Sequence, residues 1–383
     1  MDTCDALIVG GGPAGSTCAW KLRQAGLDVL VMDAAVFPRD KLCAGWITPP
    51  VVAELGFDPE AYRQGAPDPS APGGRTFQPI TGFRVGLIGG RDEVATSYGR
   101  PVSFGIRRCE FDHYLLQRSG ARLRLGDAVT SLQSNGGQWI VNGAVRTPML
   151  VGAGGHFCPV SRSINGPTNT APVVVAQEAE FPVDSRDRAA FEIDGEAPEL
   201  YFCRDLKGYG WCFRKQRHLN IGLGRVDRQS LPAATAEFVA FLTARAKIAP
   251  FTASRWRGHA YALYGSSNRR IVDQGVLLAG DAAGLAYPQS GEGIRPAIES
   301  GLLAAVTIIE AAGRYTRNRL QPYEDRLQAR FGTGPVSRAL ARMLPAGFGT
   351  SAARRLLEMP AFVRHVVLDR WFLHAREAAL PTR

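Results

Sequence analysis

No part of the chain runs for the roughly 18 to 20 uncharged apolar residues that a bilayer-crossing helix needs. The apolar run Ala6 to Val9 stops at glycines after four residues, so no membrane span is expected. The cysteines (Cys4, Cys18, Cys43, Cys109, Cys158, Cys203, Cys212) are odd in number, widely spaced and never in a C-x-x-C pair. With no signal peptide in view, they read as reduced thiols of a cytoplasmic protein and exclude a disulfide framework. The six histidines (His113, His156, His218, His259, His365, His374) show no ligand spacing with one another or with cysteine, so no metal is expected. A G-x-S-x-G nucleophile elbow is missing too.

Composition is otherwise globular: 383 residues, 45% hydrophobic and 21% charged, with 43 glycines in no collagen-like period. That length exceeds what one core usually organises and favours two lobes. The formal charge of +10 is uneven, because Ala311 to Arg383 holds thirteen arginines against five acidic residues. These arginines are spaced among Leu356, Phe362, Val366, Leu368, Trp371 and Phe372, an amphipathic-helix pattern and not a nucleic-acid arm. The leading reading is helices packed on the body with arginines in water. The second is peripheral contact with a membrane or a lipid-like substrate.

Ala6 to Val9 reads as a buried strand that runs into Gly10-Gly11-Gly12-Pro13-Ala14-Gly15 and then a helix, Ser16 to Gly26. This is G-x-G-x-x-G in its required context. Gly10 permits the tight turn, Gly12 lets the backbone approach a pyrophosphate, and Gly15 allows the helix to pack closely on the strand. The helix N-terminus offers unpaired N–H groups to phosphate. A second strand, Asp28 to Met32, ends at Asp33, followed by Ala34, where a ribose-binding acid belongs. This motif alone does not separate NAD from FAD. The other end of the chain does: the strand Gly275 to Ala279 delivers Gly280 and Asp281, followed by Gly291, Gly293 and a helix from about Ile294. Two nucleotide-directed elements so far apart imply one long dinucleotide held between them, and FAD fits.

Gly280-Asp281-Ala282-Ala283 with Pro288-x-x-Gly291-x-Gly293 resembles the flavin-contacting motif of the FAD oxidoreductases that include the geranylgeranyl reductases and the p-hydroxybenzoate hydroxylase type. Arg108-x-x-Phe111-Asp112 resembles their R-x-x-F-D helix, whose arginine contacts FAD. One departure is Gly152-Ala153-Gly154-Gly155, where Gly154 replaces the acid of the family's G-A-D-G. That acid is tied to NAD(P)H handling, so NADPH or NADH as electron donor is a weaker expectation than FAD.

Within this resemblance the reductase branch is favoured. Phe37-Pro38-Arg39-Asp40-Lys41-Leu42-Cys43-Ala44-Gly45 is similar to its F-P-R-x-K-x-C-G-G loop, which lies beside the isoalloxazine and implies cofactor contacts from Arg39, Lys41, Cys43, Ala44 and Gly45. Tyr209, Trp211 and Phe213 resemble its Y-x-W-x-F motif and, with period two, share one strand face suited to a flat or lipophilic substrate. Gly284 stands where aromatic hydroxylases usually carry histidine, and no W-x-W-x-I-P halogenase segment is found. Catalytic candidates are therefore Cys43, Tyr209, Trp211, Phe213, Pro288 and Glu292, with Arg295 beside the same turn; His156 reads as a surface or satisfied core histidine.

The expected fold is α/β: a Rossmann-like FAD-binding domain of the glutathione reductase and p-hydroxybenzoate hydroxylase type (residues 1–66, 100–169 and 266–330), a mixed-sheet substrate domain (67–99 and 170–265) and a C-terminal helical region (331–383). The expected function is that of a flavoprotein oxidoreductase reducing, or dehydrogenating, a carbon-carbon double bond of a lipophilic, isoprenoid-like or secondary-metabolite substrate by hydride transfer at flavin N5. The alternative is a monooxygenase that hydroxylates an aromatic or polyketide-like compound through a flavin C4a-hydroperoxide. A cytoplasmic location, with or without peripheral membrane contact, goes with both.

Overall fold

The computed structural model describes residues 1–65, 74–167, 173–183, 193–227, 230–249, 256–266, 269–332 and 349–381. Its first layer is a six-stranded sheet in the order Val272–Asp273, Val276–Leu278, Met149–Gly152, Ala6–Val9, Val29–Asp33 and Arg122–Leu125. All pairs are parallel except the first. The central strands are short apolar runs, buried throughout, as parallel strands covered on both faces must be. The helix after Ala6–Val9 spans Pro13–Gln24, starting and ending earlier than the sequence predicts. Pro13 needs no amide partner and presets φ at the first helical position, so Gly12 becomes the N-cap. This helix packs lengthwise on a second one, Ile294–Ala311, which begins where it was expected.

The other large layer is a seven-stranded sheet ordered Arg257–Ala262, Val173–Pro182, His218–Arg225, Gly208–Lys215, Glu199–Phe202, Gly82–Leu87 and Glu93–Ser97. Alternation along its strands divides two cores. Tyr201 and Cys212 join Phe238 of the covering helix Leu231–Ala244, while Leu200, Phe202, Trp211 and Phe213 face the opposite way. The longest strand of this sheet, Val173–Pro182, carries Glu178 and Glu180.

What covers the opposite face is the C-terminal segment: helix Gly349–Leu356, a turn at Pro360–Phe362 and the wide helical stretch Val363–Phe372. Its Val363, Val367, Leu368, Phe372 and Leu373 are buried against Trp46, Phe83, Val85 and the sheet. Arg364 and Arg370 face water. Among its described residues the apolar side of the basic region is thus packed on protein, with Leu356 and Met359 as exposed exceptions. Among the described residues no helix is long and apolar enough to cross a membrane.

Candidate active site

A cavity of about 340 Å³ runs from the glycine turn to the aromatic face of the large sheet. It collects most residues singled out from the sequence: Gly10, Gly12, Pro13, Ala14, Asp33, Arg39, Lys41, Cys43, Ala44, Gly45, Arg108, Gly154, Tyr209, Trp211, Gly280, Asp281, Gly291, Glu292, Gly293 and Ile294 all line it. Gly15, Ala34, Phe213 and Pro288 do not. A Cβ on Gly15 would lie 1.9 Å from the Gly10 carbonyl oxygen, so this glycine serves helix-on-strand packing. Ala34 and Pro288 are exposed beyond the strand end and the Gly291 turn. Phe213 shares the strand face of Tyr209 and Trp211, but its ring packs on Trp46 at 6.1 Å and fills the space above Gly105. Arg295, expected near the cofactor, turns away: it is fully buried, pairs with Glu299 at 2.7 Å and donates to the carbonyls of Glu377 and Ala378. His156 is buried and outside the cavity, and burial lowers its pKa.

At the glycine end Gly10 sits at φ +113°, where a Cβ would meet the Ala153 carbonyl oxygen at 2.4 Å. Gly12 caps Pro13–Gln24 without any side-chain hydrogen bond, leaving the first amides open. Arg39 hangs beside this cap, 3.4 Å from where a Gly12 Cβ would be, and is held by Asp112 at 3.2 Å. Its Nη1 is buried with no partner among the described residues. Asp33 accepts from the Gly11 amide at 2.7 Å. An orphaned guanidinium nitrogen, uncapped helix amides and a strand-end carboxylate fit the pyrophosphate and ribose of a dinucleotide such as FAD.

Farther in, Arg108 makes a bidentate pair with Asp112, both bonds 2.7 Å. Lys41 Nζ lies 2.9 Å from His259 Nε2, and that nitrogen is 3.6 Å from Asp281. Burial would push the Asp281 carboxyl up, but His259 and Lys41 hold it below its ordinary value, so it stays an anion. Burial also lowers the Lys41 ammonium against the pull of Asp281. Glu292 behaves in the opposite sense. Both its carboxyl oxygens are buried without a partner among the described residues, and burial raises its pKa to about 7, with His374 and Arg295 limiting the rise.

Cys43 is positioned by residues that were not among the candidates read from the sequence. Its amide donates to Glu178 Oε1 at 2.8 Å and its carbonyl accepts from Asn220 Nδ2 at 3.3 Å, so the loop is clamped by two strands of the large sheet. Asn220 in turn accepts from Trp211 Nε1 at 2.6 Å and, with Lys215, donates to Glu180. Burial raises Glu178 to about 7 against Lys215. Burial also works to raise Glu180, yet Lys215 and Asn220 bring it down to about 2. The Cys43 thiol is raised by burial, opposed by Arg108. The available signal was two acids two residues apart inside the apolar run 173–182.

The first segment, residues 8–38, matches the NAD(P)-binding Rossmann-like domain. A menaquinone reductase of Mycobacterium tuberculosis is 29% identical over 363 residues, covering 90% of this chain and 84% of that protein. A geranylgeranyl diphosphate reductase of Rhodobacter capsulatus is 28% identical, covering 79% of this chain and 74% of its own. Over most of its length the chain is thus similar to menaquinone and geranylgeranyl reductases, consistent with an FAD-dependent oxidoreductase. The same fold occurs in a geranylgeranyl bacteriochlorophyll reductase-like protein of Thermoplasma acidophilum, with a TM-score of 0.75, 21% identity and 97% of each chain covered. The match of the family model ends at residue 38, just before the loop that carries Arg39, Lys41 and Cys43 into the cavity.

Proposed function

We propose that the protein uses FAD to reduce a carbon-carbon double bond in an isoprenoid or similarly lipophilic substrate. The observation that carries this reading is the cavity's polarity: a phosphate-binding glycine turn at one end, an apolar aromatic wall of Trp46, Tyr209, Trp211 and Phe372 at the other. The reductase names of the relatives point the same way. When bound, the flavin supplies or accepts the hydride.

The residues do the rest. Gly12, Arg39 and Asp33 hold the pyrophosphate and ribose end, and Asp281 offers a fixed anion to a hydroxyl-bearing chain. The aromatic wall excludes water and orients an apolar substrate. Glu292, which burial raises to about 7 so that a substantial fraction keeps its proton at neutral pH, supplies the proton that reduction of a double bond needs. Cys43 is fixed by its clamp as a polarisable wall of the same space. NADPH or NADH is the electron donor in this reading, although Gly154 lacks the carboxylate that the resemblance ties to its handling.

The test is to load the full chain with FAD, reduce it without air, and add geranylgeranyl diphosphate or a prenylated quinone. Gain of two hydrogens by the product, independent of oxygen, is expected. A product carrying an oxygen atom from dioxygen would replace this reading with hydroxylation.

A further inference from the structure

We propose that Phe372, brought in by the C-terminal segment, is the stop that sets how long an apolar substrate the cavity accepts. The inference rests on the reading of the aromatic end as the substrate end. Tyr209, Trp211 and Trp46 each carry a polar O–H or N–H, and Phe372 carries none. Tyr209 donates its hydroxyl to the Ser290 carbonyl at 2.5 Å, Trp211 donates to Asn220, and Trp46 is wedged edge-on between Phe83 and Phe213. Phe372 offers only packing, with its ring edge-on to Tyr209 at 5.2 Å and tilted against Trp46 at 6.2 Å. It is therefore the wall residue that can be shortened without stranding a polar group.

Phe372 shares one apolar cluster with Val363, Val367, Leu368 and Leu373, all buried, and of these five only Phe372 lines the cavity. Space opened there is apolar and continuous with the wall, suited to another stretch of hydrocarbon and not to water. The backbone carrying Phe372 is also fixed. Asp369 accepts from Tyr98 at 2.7 Å, the Leu373 amide bonds the Leu368 carbonyl at 2.8 Å, and Arg295 holds the carbonyls of Glu377 and Ala378. A rigid stop made of one ring gives a sharp length limit, because each methylene beyond the limit has to displace packed atoms.

The experiment uses the full FAD-loaded chain and a series of straight-chain alcohols of increasing length, read by the perturbation of the flavin absorption band. Binding by the unaltered protein is expected to strengthen with length and then fall sharply. In F372A the fall moves to longer chains, with binding of the first excluded alcohol improving about tenfold, the scale at which a hydrophobic pocket discriminates one methylene; in F372W it moves to shorter ones. F372L, which keeps the site filled, serves as the folding control through its flavin content and melting temperature. The same length limit in all four proteins, with flavin retained, overturns the proposal. A shifted limit supports it whether or not prenyl substrates are reduced, so loss of the reductase reading alone, by absence of any reduced prenyl product, is told apart.

Discussion

At the glycine end of the cavity the polar surface is mostly backbone: uncapped amides after Gly12 and a turn at Gly10 that brooks no Cβ, with Arg39 and Asp33 as accessories. At the aromatic end it is side chains, and they arrive from three separate places, with Trp46 after the Cys43 loop, Tyr209 and Trp211 on one strand, and Phe372 near the C-terminus. A backbone-built site depends on absent side chains at fixed spacing and tolerates almost no substitution there. A site built from side chains depends on clamps behind it, and its members can be altered one by one with graded effects. Charge follows the same division: Arg39, Lys41, Arg108 and Asp281 gather toward the cofactor, whereas Glu292 at the junction is kept near neutrality by burial.

The hardest attempt to break this contrast is G15A. Its Cβ would collide with the Gly10 carbonyl, and we expect a loss above about 4 kcal/mol and no retained flavin. Normal melting and flavin content in that variant would mean that the backbone end is as adaptable as the other. Next comes K215A, which removes the buried main counter-charge of half-buried Glu180 and should cost about 3 kcal/mol in urea unfolding. Because the folded pKa of Glu180 is depressed to about 2, its contribution is present above about 4.5 and fades as pH falls through 2. The acid limb of the stability profile should flatten in K215A, while an unchanged profile would remove the clamp from the account.

E292Q addresses the junction. Turnover should fall about a hundredfold with flavin binding intact. In the unaltered protein the rate should decline as pH rises through about 7, where the proton is lost, and that limb should vanish in E292Q. Retention of the limb would assign the proton to another group. The smallest effect is expected of Y209F, which gives up one hydrogen bond to the Ser290 carbonyl, about 1 kcal/mol by thermal unfolding. A loss as large as that of G15A would show that the aromatic end is as brittle as the glycine end.

How much of this could be read from the chain itself follows from the same division. The glycine turn, Asp33, Asp281, the helix at Ile294 and the loop from Arg39 to Gly45 carry their function in local order and spacing, and all but the far side of Gly15 come together in the cavity. Arg295 sits one residue after Ile294 and was placed near the cofactor, yet the helix turns it toward Glu299 and the tail carbonyls. Phe213 has the right strand face and too great a distance along it. Glu178 shows only as one of two acids in an apolar run, and Asn220 and Lys215 leave no pattern, because their partners lie across strands or in a different lobe.

The sequence by itself determined the dinucleotide fold and the cofactor end of the site, since glycines that admit a close backbone, and acids at strand ends, act through covalent neighbours. Only the tertiary structure decided that Cys43 is clamped by Glu178 and Asn220, that Glu292 is buried without a partner among the described residues, and that the C-terminal segment closes the aromatic end with Phe372. Those outcomes depend on which surfaces meet across hundreds of residues, and burial, which sets both the pKa of Glu292 and the reach of the cavity, exists only once they have met.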